Sequence, residues 1–437
     1  MSFPNGFLLG AATAAHQVEG NNTNSDFWAQ ELLPHSSFLE PSGIACDHYN
    51  RYEEDIRLLA AAGLNAYRFS VEWARIEPEE GRFDDAEIAQ YQRVIDCCLE
   101  NGVEPVLTLF HFTSPVWLIK KGGWEAESTV EYFRRYAAYV IERLGAKLHT
   151  VCTINEANMG LQLAAISKRY QLMAERMAKM AAAQPAAAGE SAKNAEGKVQ
   201  VGMNFQKMME NAKFAAMENA QVFGTPQPHV FVSPKTPEGD ILGMRAHQAA
   251  KAAIKALYPD MKVGLTLSLH DLQALPGGES FVDTNWADEF THYLPYLEGD
   301  DFLGVQNYTR TLYGPEGQLP APEGAELTQM DYEFYPEGLE HVIRKVHEGF
   351  PGDLIVTENG IATADDSRRV EFIRRALAGV ERCLQDGIPV KGYFYWSLMD
   401  NFEWQKGFSM QFGLVAVDRE TMERSPKESL NVLGSYA

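Results

Sequence analysis

Two glutamates lie at or near the ends of apolar runs, where a carboxylate is available for chemistry. Glu156 closes the run TVCTINE (150–156), and Glu358 lies near the end of DLIVTENG (353–360). A pair of carboxyl groups on different strands can catalyse the hydrolysis of a glycosidic bond. Carboxyl groups about 5 to 5.5 Å apart give retention of configuration, whereas groups about 6.5 to 9.5 Å apart give inversion. Sequence spacing does not measure this distance, so both outcomes stay open at this point.

Other polar and aromatic residues stand in or near the ends of the remaining apolar runs. They are Gln17, Arg68, His111, Asn155, Tyr308, Trp396, Glu403 and Trp404. Each one alone is explained by solvation or by the capping of a following helix. Gathered around one opening, amides and carboxylates can bind sugar hydroxyls, and aromatic rings can stack on the apolar faces of sugar rings. The set therefore favours a carbohydrate site.

Eight apolar runs, which alternate with helical patterns, must position these residues. The runs cover residues 7–13, 66–71, 104–110, 150–156, 262–269, 302–309, 353–360 and 390–398. Amphipathic segments at 49–63, 86–102 and 128–145 each end in glycine, which is typical of helix termination. Eight such strands predict an α/β fold, the (β/α)8 barrel, whose strands are buried on both faces.

A barrel would gather the candidate residues at one end, because its active site lies at the carboxyl ends of the strands. Strands four and seven, which carry Glu156 and Glu358, face each other across it. A doubly wound open sheet is the alternative fold. It would usually have a glycine-rich turn after its first strand, and LLGAAT (8–13) does not match GxGxxG. We therefore rank the open sheet below the barrel.

The stretch from about 161 to 245 interrupts the alternation of strands and helices. It is far longer than one helix requires, and nine of the 15 methionines lie in it or next to it. Its flanks at 166–180 and 205–220 have helical patterns, whereas 181–198 is typical of an exposed linker. We expect a single domain over 1–437, with residues 161–245 forming a helical insertion or lid over the barrel mouth. The methionines either grip varied apolar groups or pack the two helices together.

The composition excludes several classes of partner. The 38 basic and 60 acidic residues give a net charge of −22, which repels nucleic acid and anionic membranes. No run approaches the roughly 18 apolar residues of a membrane helix, and FLLGAATAA (7–15) lacks the basic segment of a signal peptide. Five irregularly spaced cysteines predict neither a disulfide framework nor a zinc site. We expect a cytoplasmic protein without metal or cofactor, since no HExxH, Walker or dinucleotide motif is present.

Six motifs, in order along the chain, resemble glycoside hydrolase family 1. They are GAATAAHQVEG (10–20), ACDHYNRYEEDI (45–56), YRFSVEWARIEP (67–78), NE (155–156), VTENG (356–360) and WSLMDNFEW (396–404). The resemblance covers about residues 3–160 and 246–437. It implies a retaining β-glycosidase on a (β/α)8 barrel, with Glu358 as the nucleophile and Glu156 as the acid/base.

The resemblance also implies how the sugar is bound. It assigns sugar contacts to Gln17, His111, Asn155, Trp396, Glu403 and Trp404, with Asn155 bonding the 2-hydroxyl. Elementary electrostatics agrees with the roles of the two carboxylates. Arg68 and Tyr308 would favour ionised Glu358, whose charge would make Glu156 hold its proton more tightly. The expected partner is a small-molecule β-glycoside or a short oligosaccharide.

The chain departs from the family pattern at several positions. Ala157 replaces the usual proline after the acid, so we expect Glu156 to be held less firmly. Thr113, His16 and Gln411 stand where an aspartate, a tyrosine and a basic residue are common. The segment after Glu156 does not follow the family's usual continuation, and it should flank the leaving-group side. The aglycone preference is therefore the least transferable property.

One branch of the family hydrolyses 6-phosphoglycosides and carries a serine, a lysine and a tyrosine near its C-terminus. This chain has Glu403, Met410 and Phe412 at those places, and an anionic Glu403 would repel a sugar phosphate. We therefore expect non-phosphorylated sugars, with β-glucosides first. β-Galactosides and β-fucosides stay open, because Glu403 can bond hydroxyls 4 and 6 in either configuration.

Two other functions use the same fold. A non-catalytic sugar-binding or scaffold barrel of this family typically lacks a catalytic glutamate, whereas Glu156 and Glu358 are both present. A transglycosidase would use the same residues and differ only in the acceptor. The sequence does not determine the oligomeric state.

Overall fold

The computed structural model describes residues 3–168 and 202–437. Its strands, in chain order, are β1 (Leu8–Ala12), β2 (Ala66–Ser70), β3 (Glu104–Phe110), β4 (Thr150–Ile154), β5 (Lys262–Gly264), β6 (Thr266–Ser268), β7 (Asp271–Ala274), β8 (Phe302–Gln306), β9 (Arg310–Gly314), β10 (Gly317–Gln318), β11 (Asp353–Asn359), β12 (Val390–Trp396), β13 (Val415–Val417) and β14 (Arg424–Pro426). All eight predicted apolar runs contain strands of one parallel ring. The prediction of a (β/α)8 barrel is confirmed.

The fifth predicted strand is divided in two, and this division closes the barrel. β5 pairs in parallel with β4, whereas β6, which begins after one intervening residue, pairs with β8. The strand order is β5-β4-β3-β2-β1-β12-β11-β8-β6, so the two ends of the ring are consecutive in the chain. The close approach at this point requires glycine, since a Cβ on Gly264 would lie 2.2 Å from the carbonyl oxygen of Phe302.

Helices surround the ring. The α-helices with both ends in the described residues are Ala15–Val18, Asp26–Glu31, His48–Ala61, Trp73–Ile76, Asp85–Glu100, Val116–Lys120, Ser128–Leu144, Phe205–Phe223, Pro237–Leu257, Glu279–Glu289, Gly338–Gly349, Asp366–Gln385 and Glu428–Gly434. Those predicted at 49–63, 86–102 and 128–145 are confirmed. Helix Ser128–Leu144, for example, buries Phe133, Tyr136 and Val140 on one face, as an amphipathic helix on a core does. Within the described ranges, no helix is long and apolar enough to cross a membrane.

Short strands extend the barrel beyond the carboxyl ends of its own strands. β7 follows β6 and β9 follows β8, and together with β10 they form a three-stranded sheet. β13 and β14 form an antiparallel pair after β12. These additions build up the same end of the ring at which the candidate side chains lie.

The long connection after β4 is helical at both of its described ends. Residues 159–168 are helical, and the helix predicted at 205–220 is confirmed as Phe205–Phe223. The Asn204 side chain caps this helix by accepting the N–H of Lys207 at 3.1 Å. The rest of the helix predicted at 166–180 lies outside the described residues.

The other predictions for this connection are partly beyond the described ranges. The linker predicted at 181–198 lies outside them. Helix Pro237–Leu257, which begins inside the predicted insertion of 161–245, packs against Ser128–Leu144. It thereby takes the ordinary position of a barrel helix between β4 and β5.

Candidate active site

Glu358 reaches the barrel interior because β11 is irregular at this point. Ile355 packs with the side chains that fill the barrel, whereas Val356 packs with the core shared with the helices. Successive side chains of a regular strand point to opposite faces, so Glu358 would point away from the barrel interior, in the same direction as Val356. The register of β11 against β8 shifts between these two residues, and a β-bulge of this kind re-aims a side chain.

Both carboxylate oxygens of Glu358 are held by buried donors. Arg68 on β2 donates from Nη1 to Oε1 at 2.7 Å, and Tyr308 donates from its hydroxyl to Oε2 at 2.6 Å. The side chains of Arg68 and Glu358 are 1% and 4% exposed, so this ion pair is shielded from water. Charge-assisted bonds in such surroundings strongly favour the ionised carboxylate.

Glu156 is held through its backbone and through a hydrogen bond between its carboxyl group and Ser268. It adopts a left-handed conformation with a φ of 45°, which is uncommon outside glycine and concentrates at functional sites. Its N–H donates to the Thr266 hydroxyl on β6 at 2.8 Å. Its side-chain Oε2 is buried and has no hydrogen-bond partner among the described residues. The carboxyl group is therefore fixed in place with one oxygen available.

The residue after the acid is also anchored to β6. The N–H of Ala157 donates to the carbonyl oxygen of Thr266 at 2.9 Å, and proline has no N–H for this bond. We expected Ala157 to leave Glu156 less fixed than a proline would. The structure instead restrains this turn through β6, by a bond that a proline would eliminate.

The two carboxyl groups differ in proton affinity. Burial raises the pKa of Glu156 well above its usual value, and the charge of Glu358 raises it further. Burial also raises the pKa of Glu358, but the Arg68 charge and the bonds from Tyr308 and Gln306 oppose that rise. Glu358 therefore ionises first, and Glu156 retains its proton.

Asn155 is oriented by donors from three directions. Its Oδ1 accepts from Arg68 Nη2 at 2.5 Å, from Gln306 Nε2 at 2.8 Å and from the Thr266 hydroxyl at 3.1 Å. Its Nδ2 lies 3.2 Å from Nε2 of His111. Burial and the Arg68 charge lower the pKa of His111 well below its usual value, so the ring is neutral. These contacts fix the orientation of the Asn155 amide.

Glu403 forms a third buried carboxyl group at the mouth. Its Oε2 accepts from Gln17 Nε2 at 3.3 Å, and its Oε1 accepts from the N–H of Gly202 at 3.2 Å. Burial raises the pKa of Glu403 to about 8. Burial therefore favours the protonated form of Glu403, which weakens the electrostatic repulsion that was expected to exclude a sugar phosphate.

Aromatic rings form one wall of the site. Trp404 stacks on His16 with ring centroids 5.9 Å apart and an interplanar angle of 3°. His16 is in turn bonded to Glu31 at 2.7 Å. Trp396, at the end of β12, lies 5.7 Å from the ring of His111. His16 therefore acts here as a buried support behind Trp404.

Several buried polar atoms at this end of the barrel have no hydrogen-bond partner in the described part of the chain. They include Oε1 of Gln17, Nδ1 of His111 and Oε2 of Glu156. Buried polar groups are usually satisfied within a protein. Exceptions that share one opening indicate a place built for polar groups of a ligand.

The structure brings together all of the residues that the sequence singled out. Glu358 joins Arg68, Tyr308 and, through Arg68, Asn155 and His111. The remaining residues close the other side, namely Gln17, Trp396, Glu403 and Trp404.

Some residues of the site were missed by the sequence analysis. They are Gln306, Thr266, Ser268, Tyr332 and Gly202. Gln306 directly precedes Asn307 and Tyr308 at a predicted strand end, which could have indicated it. Gly202 and Tyr332 lie in connections, where apolar runs give no signal.

The departures from the family pattern have ordinary partners. The Thr113 hydroxyl donates to Glu72 at 2.6 Å, and Oε1 of Gln411 accepts from Nε2 of Gln329 at 3.2 Å. The ring of Phe412 meets Tyr308 edge to face at 6.0 Å. Across residues 3–168 and 202–437, no group of three or more histidine, cysteine, aspartate or glutamate side chains is placed to hold a metal ion.

A closed (β/α)8 barrel with two unlike buried carboxyl groups among amides and aromatic rings defines the class of two-carboxylate glycosidase barrels. Comparison with known proteins gives the particular family. The model of Glycosyl hydrolase family 1 matches residues 1–220 and 317–436. The chain belongs to this family.

Individual relatives are similar to this chain over almost its whole length. Beta-glucosidase A of Thermotoga maritima is 31% identical, over 98% of this chain and 96% of its own. A bifunctional beta-D-glucosidase/beta-D-fucosidase of Bifidobacterium breve is 28% identical, over 99% of this chain and 97% of its own. The crystal structure of beta-glycosidase BGL167 superposes with a TM-score of 0.85 at 45% identity, covering 99% of this chain and 96% of that one.

Proposed function

We propose that the protein is a retaining β-glucosidase in which Glu358 is the nucleophile and Glu156 is the acid/base. The observation that carries the assignment is the contrast between the two carboxyl groups. Arg68 and Tyr308 hold both oxygens of Glu358, whereas Oε2 of Glu156 is buried without a partner among the described residues. One group is suited to be an anion and the other to carry a proton.

In the first step, an ionised oxygen of Glu358 attacks the anomeric carbon of the bound sugar. The bond from that carbon to the leaving oxygen breaks, and Glu156 transfers its proton to the leaving oxygen. The products are the free aglycone and a glycosyl ester on Glu358. The Asn155 amide, held by three donors to its Oδ1, is placed to donate to the 2-hydroxyl beside the reacting carbon.

In the second step, water replaces the enzyme at the anomeric carbon. Glu358 is now an uncharged ester, so the repulsion that raised the pKa of Glu156 falls and Glu156 can accept a proton from the attacking water. The bond between the sugar and Glu358 breaks, which returns the ionised nucleophile and releases a sugar of retained configuration.

The proposed substrates are terminal β-D-glucosides, with β-fucosides and β-galactosides as further candidates. The related T. maritima enzyme is named a beta-glucosidase, and the B. breve relative is named a glucosidase and fucosidase. Glu403 and Gln17 form a bonded pair at the mouth and offer both acceptors and donors to hydroxyls 4 and 6. Such a pair tolerates either configuration at carbon 4.

We also propose a cytoplasmic location and a single-domain organisation. All five cysteines are buried and unpaired, as is usual in a reducing compartment. β1 pairs with β12 along the whole of β1, from Leu8 with Gly392 to Ala12 with Trp396. The first and last barrel strands are therefore neighbours in one closed barrel, which supports a single domain. Residues 202–236 belong to a long connection attached to this domain.

The test is the hydrolysis of nitrophenyl glycosides that differ only in sugar and anomer, with NMR of the first-formed product. We expect turnover of the β-glucoside, no turnover of the α-glucoside, and β-glucose as the first sugar released. The variant Glu358→Gln, prepared identically, controls for contaminating activity. Initial release of α-glucose would refute the retaining assignment, and inactivity of the folded protein on every β-glycoside would refute the function.

A further inference from the structure

The end of the long connection after β4 is bonded directly to the glycone side of the site. The N–H of Gly202 donates to Oε1 of Glu403 at 3.2 Å, and its carbonyl oxygen accepts from the N–H of Gln405 at 2.8 Å. The N–H of Asn204 donates to Oε1 of Gln405 at 2.7 Å. Three hydrogen bonds thus join residues 202–204 to the turn that carries Glu403.

Glycine at 202 is required by lack of space. A Cβ at this position would lie 2.5 Å from the carbonyl oxygen of Glu403, 2.9 Å from its Cγ and 3.0 Å from its Oε1. The backbone of residue 202 therefore lies in contact with both the main chain and the carboxyl group of Glu403. Any side chain here would push that carboxyl group away.

The helix that follows anchors this segment on its other side. Lys207 donates from Nζ to the carbonyl oxygen of Phe38 at 2.6 Å. Further along, the ring of His35 stacks on Phe214 at 3.7 Å, and its Nδ1 lies 2.5 Å from Glu218. Residues 202–204 are thus stretched between the site and an anchored helix.

We propose that Gly202 is a positioning residue for Glu403, and that residues 202–204 form a strap that determines how the enzyme recognises the hydroxymethyl end of its sugar. The Gly202 N–H fixes one carboxyl oxygen, and Gln17 fixes the other. The inference rests on the proposed function, because it concerns the hydroxyls that Glu403 is proposed to bind.

The strap gives the insertion a second role. From its position after Glu156, the insertion was expected to flank the leaving-group side. Its returning end contacts Glu403, which we propose binds the sugar hydroxyls, and the leaving-group side stays a prediction for the rest of the insertion. The strap therefore makes glycone selectivity depend on the end of the long connection after β4.

The experiment compares nitrophenyl β-glucoside with nitrophenyl β-6-deoxyglucoside, which share a leaving group and differ by one hydroxyl. We expect Gly202→Ala to lower kcat/KM for the glucoside more than for the 6-deoxy substrate. The ratio of the two values should fall about three- to tenfold relative to wild type, the effect of weakening one hydrogen bond. Gly243→Ala is the matched control, because a Cβ there meets nothing within 4 Å, and it should leave the ratio unchanged.

A second pair of variants covers the case in which Gly202→Ala does not fold. Gln405→Ala removes the acceptor for the Asn204 N–H without adding bulk, and it should shift the ratio in the same direction by a smaller factor. Gln405→Glu keeps an acceptor oxygen and should return the ratio of the two kcat/KM values to that of the wild type. Equal losses on both substrates, or an unchanged ratio, would overturn the inference while leaving the proposed function standing. An inactive wild-type enzyme would refute the function itself and the inference with it.

Discussion

Glu358 and Glu156 are both buried glutamates at the mouth of one barrel, yet they are held in different ways. A buried arginine and a tyrosine hydroxyl bind the two oxygens of Glu358. The backbone of Glu156 is bonded to β6, and one of its oxygens has no partner within the described residues. Both oxygens of Glu358 accept hydrogen bonds, whereas Glu156 combines backbone bonds with one side-chain bond to Ser268.

The difference shows how environment, and not residue type, assigns a chemical role. Donors and a positive charge favour the ionised form of Glu358, while burial beside that anion favours the protonated form of Glu156. Substitutions at Glu358 or its partners should therefore change the kinetics in a different way from substitutions at Glu156.

The largest effect is expected for Glu358→Gly, which removes the nucleophile. Turnover of a nitrophenyl β-glucoside should fall about 10⁴-fold or more, as for nucleophile removal in other enzymes. Added azide should restore turnover by occupying the space, and NMR should identify a glucosyl azide of inverted configuration.

The matched control for that experiment lies on the same strand. Asp353 begins β11 at the opposite end of the barrel and pairs with Lys391 at 3.5 Å. Asp353→Gly should keep its activity, because that end of the barrel serves stability. An azide product of retained configuration from Glu358→Gly would contradict the nucleophile assignment.

The next largest effect is expected for Glu156→Ala, and it should depend on the leaving group. Glycosides of poorly acidic alcohols should lose about 10²–10⁴-fold in kcat/KM, because their oxygen needs a proton as it departs. Dinitrophenyl glycosides, which leave without a proton, should lose far less. Kinetics with the two substrates on one preparation check this, and equal losses would argue against the acid role.

A smaller effect is expected for Tyr308→Phe, and it should appear in the pH profile. The hydroxyl bonds the ionised form of Glu358 and so lowers its pKa. Its removal raises that pKa, so the acidic limb of kcat/KM should move to higher pH while the alkaline limb, assigned to Glu156, moves little. Activity at the optimum should fall about tenfold, the scale of one charge-assisted bond.

A buried tyrosine outside the site provides the control for Tyr308→Phe. The hydroxyl of Tyr136 donates to the carbonyl oxygen of Leu109 at 2.9 Å. Tyr136→Phe should lower the melting temperature without moving either limb of the profile. A Tyr308→Phe profile that keeps its acidic limb would show that Tyr308 does not tune Glu358.

The smallest effect is expected for Ala157→Pro, which restores the residue usual in the family. It removes the N–H that donates to Thr266 and should cost about 1–3 kcal/mol of stability by leaving that buried oxygen unpaired. Calorimetric melting checks this, with Ala157→Gly as the variant that keeps the N–H. A more stable Ala157→Pro protein would mean that the ring restrains Glu156 better than the bond to β6 does.

The sequence predicted the strands and both carboxylates because strand ends leave a local signal. Continuous apolar runs identified every barrel strand, and the residues that close them identified Glu156, Glu358 and their neighbours. The β-bulge that turns Glu358 inwards left no such signal, since it depends on the register between β11 and β8. The division of the fifth strand was missed for the same reason, because it follows from which neighbour each half bonds.

Contacts between segments that are distant along the chain also could not be predicted from the sequence. The bond from Gly202 to Glu403 joins positions 201 residues apart. The restraint on Ala157 comes from Thr266, which lies on a strand that offered no charged or aromatic residue. The pKa of Glu403 rises to about 8 through burial, and burial is a property of the folded chain. Sequence patterns identify which groups are present, whereas the fold sets their proton affinities.

The burial of Glu403 has a thermodynamic consequence for binding. A carboxyl group with a pKa of about 8 carries a proton at pH 7, but hydroxyls 4 and 6 of a sugar would donate to its ionised form and lower that pKa. Occupation of the site should therefore release a proton to the buffer. Titration calorimetry with a glucose-derived inhibitor should give a binding enthalpy that changes with the ionisation enthalpy of the buffer, and Glu403→Gln should abolish that dependence.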